Sequence, residues 1–296
     1  AQMSVTVDTC DFVQLYGSAL VVHAGDDANS TAVVNLTVTK SFFFGAKENG
    51  LGNLEVFALQ YGRANYSITE TSFRKIGRPL AAAGVINLQA TDRGVLSGDV
   101  TQNGISDVAG YAGIRVSSSG YAGPHNVTLE RNAIFGTGRE GIYVACLDST
   151  VDMNVWIRNN TLGMETKPVG ATGREGIEVV VGDLATGYSG PAQLDIVIES
   201  TNVVNNAPLD QTVDIDCEDN GRLNATIRNN TFRNLAVGAG PILTVDTEQA
   251  ASQICLDLDG NSDGGSNQIF EVYAVTGSVF AVVNLDTVDA RNTGTV

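Results

Sequence analysis

The residues in this sequence best placed to do chemistry are carboxylates on two short apolar segments. GIEVVV, from Gly176, carries Glu178, and TVDIDC, from Thr212, carries Asp214 and Asp216. In an extended strand successive side chains alternate between faces, so all three acids share the face opposite their aliphatic neighbours. GIRVSS from Gly113 and GIYVAC from Gly141 add Arg115 and Tyr143 to that face, with Ser117, Ala145 and Val180 standing two positions on. If these segments stack as adjacent strands, Glu178 and Asp214 lie roughly 5 Å apart, the separation at which retaining glycosidases hold nucleophile and acid. Carboxylates that close push their pKa values apart or attract a cation. The sequence GREG occurs twice, at Gly138 to Gly141 and Gly173 to Gly176, setting Arg139 over Arg174 and Glu140 over Glu175 just before this strand. The plainer reading of the set is a solvated face on an acidic protein, where exposed ion pairs contribute little.

DLDGNSDGGSNQ, from Asp257 to Gln268, offers a second site. Asp257, Asp259, Asn261 and Asp263 match the alternate oxygen positions of a calcium loop, which makes calcium the cofactor to expect if there is one. Ser262 replaces the turn glycine and Gln268 the bidentate Glu, so a plain acidic turn is the competing reading. The cysteines, Cys10, Cys146, Cys217 and Cys255, have no zinc spacing with each other or with His23 and His125. Cys217 with Cys255 is the one pairing considered for a disulfide, and Cys10 reads as a buried free thiol.

The elements that position these residues follow from composition and period. The chain has 296 residues, 43% hydrophobic but 6% aromatic, with 33 glycines and a net charge of −16. Mean hydropathy of +0.04 with 17% charged residues leaves enough Val, Ile and Leu for a packed core, which excludes disorder. The excess of 33 acids over 17 bases disfavours nucleic acid and an anionic membrane surface, both of which are held by clustered cations. No apolar run approaches the roughly 18 residues of a membrane span.

Three segments reveal a repeat: NVTLERNAIFG, NVWIRNNTLG and NATIRNNTFRN. Aligned on them, the chain shows a polar position at Cys10, Ser41, Thr71, Asn103, Asn132, Asn160, Thr201, Asn230 and Asn261, in steps of 28 to 41 residues. Three residues before each stands an aliphatic side chain, from Val7 to Leu258. Five before, the set from Val5 to Leu256 is apolar except Gly98, and two after, it runs Phe12, Phe43, Phe73 and onward, with Asp263 the exception. The pattern is strand, bend, strand, preceded in each repeat by another apolar strand usually opened by glycine. Like residues stack usefully only when repeats lie parallel and in register about 4.8 Å apart, so the ladder favours a solenoid over a sandwich or propeller.

The asparagine ladder in IRNNTF and IRNNTL, with its aliphatic stacks, resembles the right-handed parallel β-helix superfamily of pectate lyases, polygalacturonases, phage tailspikes and bacterial surface repeat proteins. ICLDLDGN followed by VVNLDTVDARNTGTV looks most like large secreted bacterial β-helix repeat proteins. The resemblance implies an all-β right-handed parallel β-helix of about nine coils, with residues 1–296 forming a single domain. In members that cleave polysaccharides the site often lies on the outer face of the glycine-opened strand. The NTD, GHG and RIK motifs of polygalacturonases are absent, and the only paired DD, Asp26 with Asp27, is in a turn. Lyases of this fold use a Lys or Arg base, and Lys40, Lys47, Lys75 and Lys167 fall far from the acidic patch. The chain opens in mid-coil and neither end carries a covering amphipathic helix. It is therefore expected to be an excerpt of a longer helix or a polymerising subunit, its partners being copies of itself or further β-helix. The expected function is a non-catalytic secreted or cell-surface solenoid, an adhesin, stalk or filament subunit that meets surface glycans or proteins. Loop insertions at Gly163 to Gly173 and Gly182 to Pro191 are the first place to look for a ligand. The alternative is a polysaccharide lyase or glycoside hydrolase using Arg115, Tyr143, Glu178, Asp214 and Asp216.

Overall fold

A computed structural model of the chain describes residues 1–14, 17–26, 30–45, 53–75, 84–108, 112–120, 124–147, 152–163, 174–182, 191–205, 210–236, 241–264, 270–283, 287, 288 and 292. Most of both loop insertions, together with Asp27, Lys47, Lys167 and Gln268, lies outside the described residues. Among the described residues no helix is long and apolar enough to cross a membrane.

The first coil sets the pattern with β1 (Gln2–Asp8), β2 (Asp11–Val13) and β3 (Leu20–Ala24). Each begins one of three parallel sheets, of ten, eight and nine strands respectively, and the chain winds through them in turn as a right-handed β-solenoid. Eight coils place a strand in every sheet. β25 (Gln253–Asp259) and β26 (Phe270–Ala274) then continue only the first and third sheets, and β27 (Val279–Val282) only the first. The coil count thus differs slightly from the nine expected: eight coils are complete, the next lacks a second-sheet strand among the described residues, where Ser262 makes a single bridge to Thr231, and β27 begins one more.

Register in the first sheet follows the period read from the sequence. Val5, Leu36, Tyr66, Gly98, Val127, Val155, Ile196, Ala225 and Leu256 are consecutive partners. A one-residue slip would turn every one of these side chains to solvent, so burial fixes the pairing. Gly98 breaks the apolar set because a Cβ there would come within 2.8 Å of the Tyr66 ring and 2.0 Å of its carbonyl oxygen. The ring takes the space that a side chain at 98 would need. Inside the second sheet, Phe12, Phe43 and Phe73 stack with centroids 4.5 and 4.7 Å apart.

The bend between first and second sheets has a fixed mechanism. The residue before each ladder position has positive φ, including Lys40 at 48°, Gln102 at 58°, Arg131 at 55° and Asn229 at 56°. A left-handed residue with a Cβ costs roughly 1–2 kcal/mol. The ladder behind it offsets that cost. The backbone N–H of Thr71 donates to Asn103 Oδ1 at 3.0 Å, that of Asn103 to Asn132 Oδ1 at 3.1 Å, and that of Asn132 to Asn160 Oδ1 at 2.9 Å. Each asparagine also donates Nδ2 to a carbonyl of the preceding coil, as Asn132 does to Val100 at 2.8 Å. Ser41, Thr71 and Thr201 accept in the same place through their hydroxyls. The ladder extends one residue beyond those aligned by sequence: Asn261 N–H donates to Asn292 Oδ1 at 2.9 Å. Cys10 keeps the ladder's backbone bond, to Ser41 Oγ at 3.2 Å, but it is exposed, which corrects the buried thiol expected there. It stands in the first coil, where no coil in the structure packs on its other side.

Candidate functional site

The third sheet carries the candidate site on its outer face. Four of its neighbouring strands are β12 (Ala112–Ser118), β15 (Ile142–Cys146), β18 (Ile177–Val181) and β21 (Val213–Cys217), followed by β24 (Leu243–Thr247). Their aliphatic residues, such as Ile114, Val144, Val179, Ile215 and Val245, fill the core. The alternating positions form two outward columns. One runs Arg115, Tyr143, Glu178, Asp214, Thr244, and the other Ser117, Ala145, Val180, Asp216, Asp246. All five residues named from the sequence therefore come together, with Glu178 and Asp214 as direct partners on adjacent coils. Arg115 lies over the Tyr143 ring, 5.4 Å from its centroid.

The turns add acids to these columns. Glu140 and Glu175 precede β15 and β18 and are 2% and 3% exposed. With Glu178 they bring three carboxylates within 4.8 Å of one another, and Asp216, Asp246 and Glu248 form a second such trio. These are the two acidic groups in the described residues whose spacing could hold a metal ion. Arg139 Nε lies 3.2 Å from Glu140 Oε1, and Arg174 reaches Glu140 Oε1 at 3.5 Å and Glu175 Oε1 at 3.6 Å.

Burial and crowding by like charge set the electrostatics. Burial, then Glu140 and Glu175, push Glu178 up to about 8. Burial, then Glu175, Asp246 and Glu248, raise Asp214 to about 7. Asp216 rises to about 9 through burial, then Asp214 and Asp246. Tyr143 goes to about 12 for the same reasons, burial first and Glu178 next. At neutral pH Glu178 and Asp216 are thus mostly protonated and can donate a proton or a hydrogen bond, while Asp214 is divided between its two forms.

Asp246 and Glu248 were not singled out from the sequence. Asp246 was visible in principle, since PILTVD from Pro241 places it at the position of Asp216. Glu248 lies past the strand end, where alternation no longer assigns a face.

The other sequence candidates do not assemble. Asp257 and Asp259 lie on the outer face of the first sheet. Asn261 is buried in the ladder, its Oδ1 accepting from Asn230 at 2.8 Å and its Nδ2 donating to the Ile227 carbonyl at 2.7 Å. Asp263 is 3% exposed at the inward position that phenylalanine fills in earlier coils. The expected calcium loop is therefore split between outside and inside, because the ladder claims the residue at its centre. The Cys217 to Cys255 disulfide is corrected too. Cys217 is buried, its thiol donating to the Gln253 carbonyl at 3.7 Å, while Cys255 faces outward, and both are free. Thiols on opposite faces of a coil wall cannot meet bridge geometry. Comparison with protein families, curated proteins and solved structures finds no match to this chain.

Proposed function

We propose that this chain is part of a secreted or cell-surface parallel β-helix of the pectate-lyase-like superfamily, close in kind to bacterial surface repeat proteins, and that it works without catalysis as an adhesin, stalk or filament element. The observation that supports this reading is the unbroken register of the first sheet, whose ten strands stack in parallel with a hydrogen-bonded ladder alongside. Every coil is held by its neighbours, so stiffness accumulates along the axis, as a rod that carries force or presents a surface requires. At about 4.8 Å per coil such a rod spans roughly 43 Å across nine inter-strand steps. Its acidic third-sheet face supplies the surface on which a ligand would be met.

A second reading, a polysaccharide lyase or glycoside hydrolase, is favoured by one specific observation. Glu178 and Asp214 are register partners whose pKa values are raised to about 8 and 7. One experiment separates the two. The protein is incubated with a panel of acidic and neutral polysaccharides, and unsaturated products and new reducing ends are assayed. The rod reading expects none. Product formation that disappears in Glu178→Gln or Asp214→Asn would replace it with the enzyme reading.

A further inference from the structure

We propose that Glu140, Glu175 and Glu178 form a binding site for a divalent cation of the calcium class, spanning two successive coils at the start of β15 and β18. The inference does not depend on either functional reading.

Three observations carry it. The carboxylates of the three residues lie within 4.8 Å of one another, which matches oxygens around one calcium ion, each 2.3–2.6 Å from the metal. The Glu175 side chain is 4% exposed, yet its Oε2 has no hydrogen-bond partner, and Glu178 Oε2 is likewise buried without one. A buried carboxylate oxygen left unmet is costly, and native structures rarely keep one without a ligand, ion or water to answer it. The arginines are already committed elsewhere: Arg139 and Arg174 hold the Oε1 atoms of Glu140 and Glu175. Those contacts leave the Oε2 side of Glu175 for another partner. Asp210, on the next coil, adds its negative field at Arg174 and Glu175.

Oxygen-only donors select a hard cation. Calcium suits the trio better than magnesium because its coordination is flexible, whereas magnesium demands a near-ideal octahedron and keeps its waters. Such an ion would tie the turn before β15 to the turn before β18, cross-linking neighbouring coils at the point where the GREG repeats put like charges together.

Terbium luminescence of the whole chain, excited through tyrosine, tests the assignment, because Tyr143 is the register partner of Glu178. Chelator-treated protein is expected to sensitise terbium, to lose the signal on adding calcium but not on adding magnesium at the same concentration, and to melt at a higher temperature in calcium. Glu175→Gln and Glu178→Gln should each weaken terbium binding by at least about tenfold, since one charged ligand is lost. Glu199→Gln, on the first sheet and away from both trios, should leave it unchanged, and Asp246→Asn tests the second acidic trio as the alternative location. Both glutamine variants alter a carboxyl group within the fold, and circular dichroism confirms that they fold; if one does not, the other decides. Binding that survives in the folded variants, or that is lost in Asp246→Asn alone, overturns the proposal, as does a wild-type chain that sensitises no terbium.

Discussion

Asn261 Oδ1 accepts two hydrogen bonds from Asn230 one coil below, from the backbone N–H at 3.2 Å and from Nδ2 at 2.8 Å. The same amide then donates to the Ile227 carbonyl at 2.7 Å. One side chain therefore closes the bend of the neighbouring coil on both its donor and acceptor sides. Asn261→Ala orphans a buried N–H and a buried carbonyl, and at about 1–3 kcal/mol for each the expected loss is roughly 3 kcal/mol. Asn261→Thr should cost less, since Thr201 fills the same role by accepting from Asn160 N–H at 3.4 Å. Urea titration followed by circular dichroism measures both. Equal losses in the two variants would show that the acceptor oxygen contributes little.

The left-handed bend predicts a substitution that stabilises. Gln102 is exposed, has φ of 58° and carries a Cβ that this conformation disfavours. Gln102→Asn, a residue that tolerates the region better, should raise stability by up to about 1 kcal/mol. Asn159 and Asn229 already hold this position in two other coils. A midpoint that does not move in urea would mean that the strain is relieved elsewhere in the turn.

The ladder and the aliphatic columns were readable from sequence because burial imposes a strict rule on them: each inward side chain must find its like one coil away. Val7, Val38 and Ile68 show that rule without any coordinates, and the structure pairs them in register. The left-handed residue before the ladder was not readable, since Lys40, Glu70 and Arg131 carry no conformational signature of their own. Ladder bonds formed by the next residue impose it. For the site, Glu178, Asp214 and Asp216 were legible through strand alternation. Asp246 was open to the same reading, but Glu248 was not, because it lies past the strand end, where the path of the turn decides which residues meet.

The acids of the third sheet predict an alkaline loss of stability. In the fold Asp214 and Asp216 have pKa values of about 7 and 9, against about 3.9 in an unfolded chain. Because the folded state holds these protons more tightly, their stabilising contribution is complete below about pH 4 and is lost as pH rises through 7 and 9. His125 works in the opposite sense. Its Nδ1 accepts from Leu96 N–H at 3.0 Å, and burial lowers it to about 4, so its contribution is complete above about pH 6.5 and falls on acidification. From pH 6.5 to 9 the carboxylates act unopposed. The melting temperature should decline over that range, and Asp216→Asn should flatten the decline while leaving the acid side in place. A wild-type curve that is level from pH 6.5 to 9 would contradict the assignment.

On the outer face of the first sheet, Glu130, Arg158, Glu199, Arg228 and Asp259 alternate in sign across five coils. The best pair, Arg228 with Glu199, has contacts of 2.6 and 2.7 Å, but the Arg228 side chain is 50% exposed. Water competes for both charges, so Arg228→Ala should cost less than about 1 kcal/mol despite the short distances. Thermal melts with and without added salt provide the check: the difference between wild type and variant should shrink as salt rises.

The cysteines give a prediction that depends on which face of the coil wall each residue occupies. Cys255 and Cys10 are exposed, whereas Cys146 and Cys217 are buried, with thiols 3.5 and 3.7 Å from the carbonyls of Gln193 and Gln253. Burial also lifts Cys217 to about 12, so at pH 8 almost none of it is the reactive thiolate. A thiol reagent added to the native protein should therefore label two cysteines quickly and the remaining two only after denaturation. Cys255→Ser should remove one of the fast sites without changing the slow pair. A disulfide between Cys217 and Cys255 would instead leave one fast site, and two thiols missing even in denaturant until a reductant is added. The native and denatured counts together separate a wall with one thiol on each side from a wall stapled through itself.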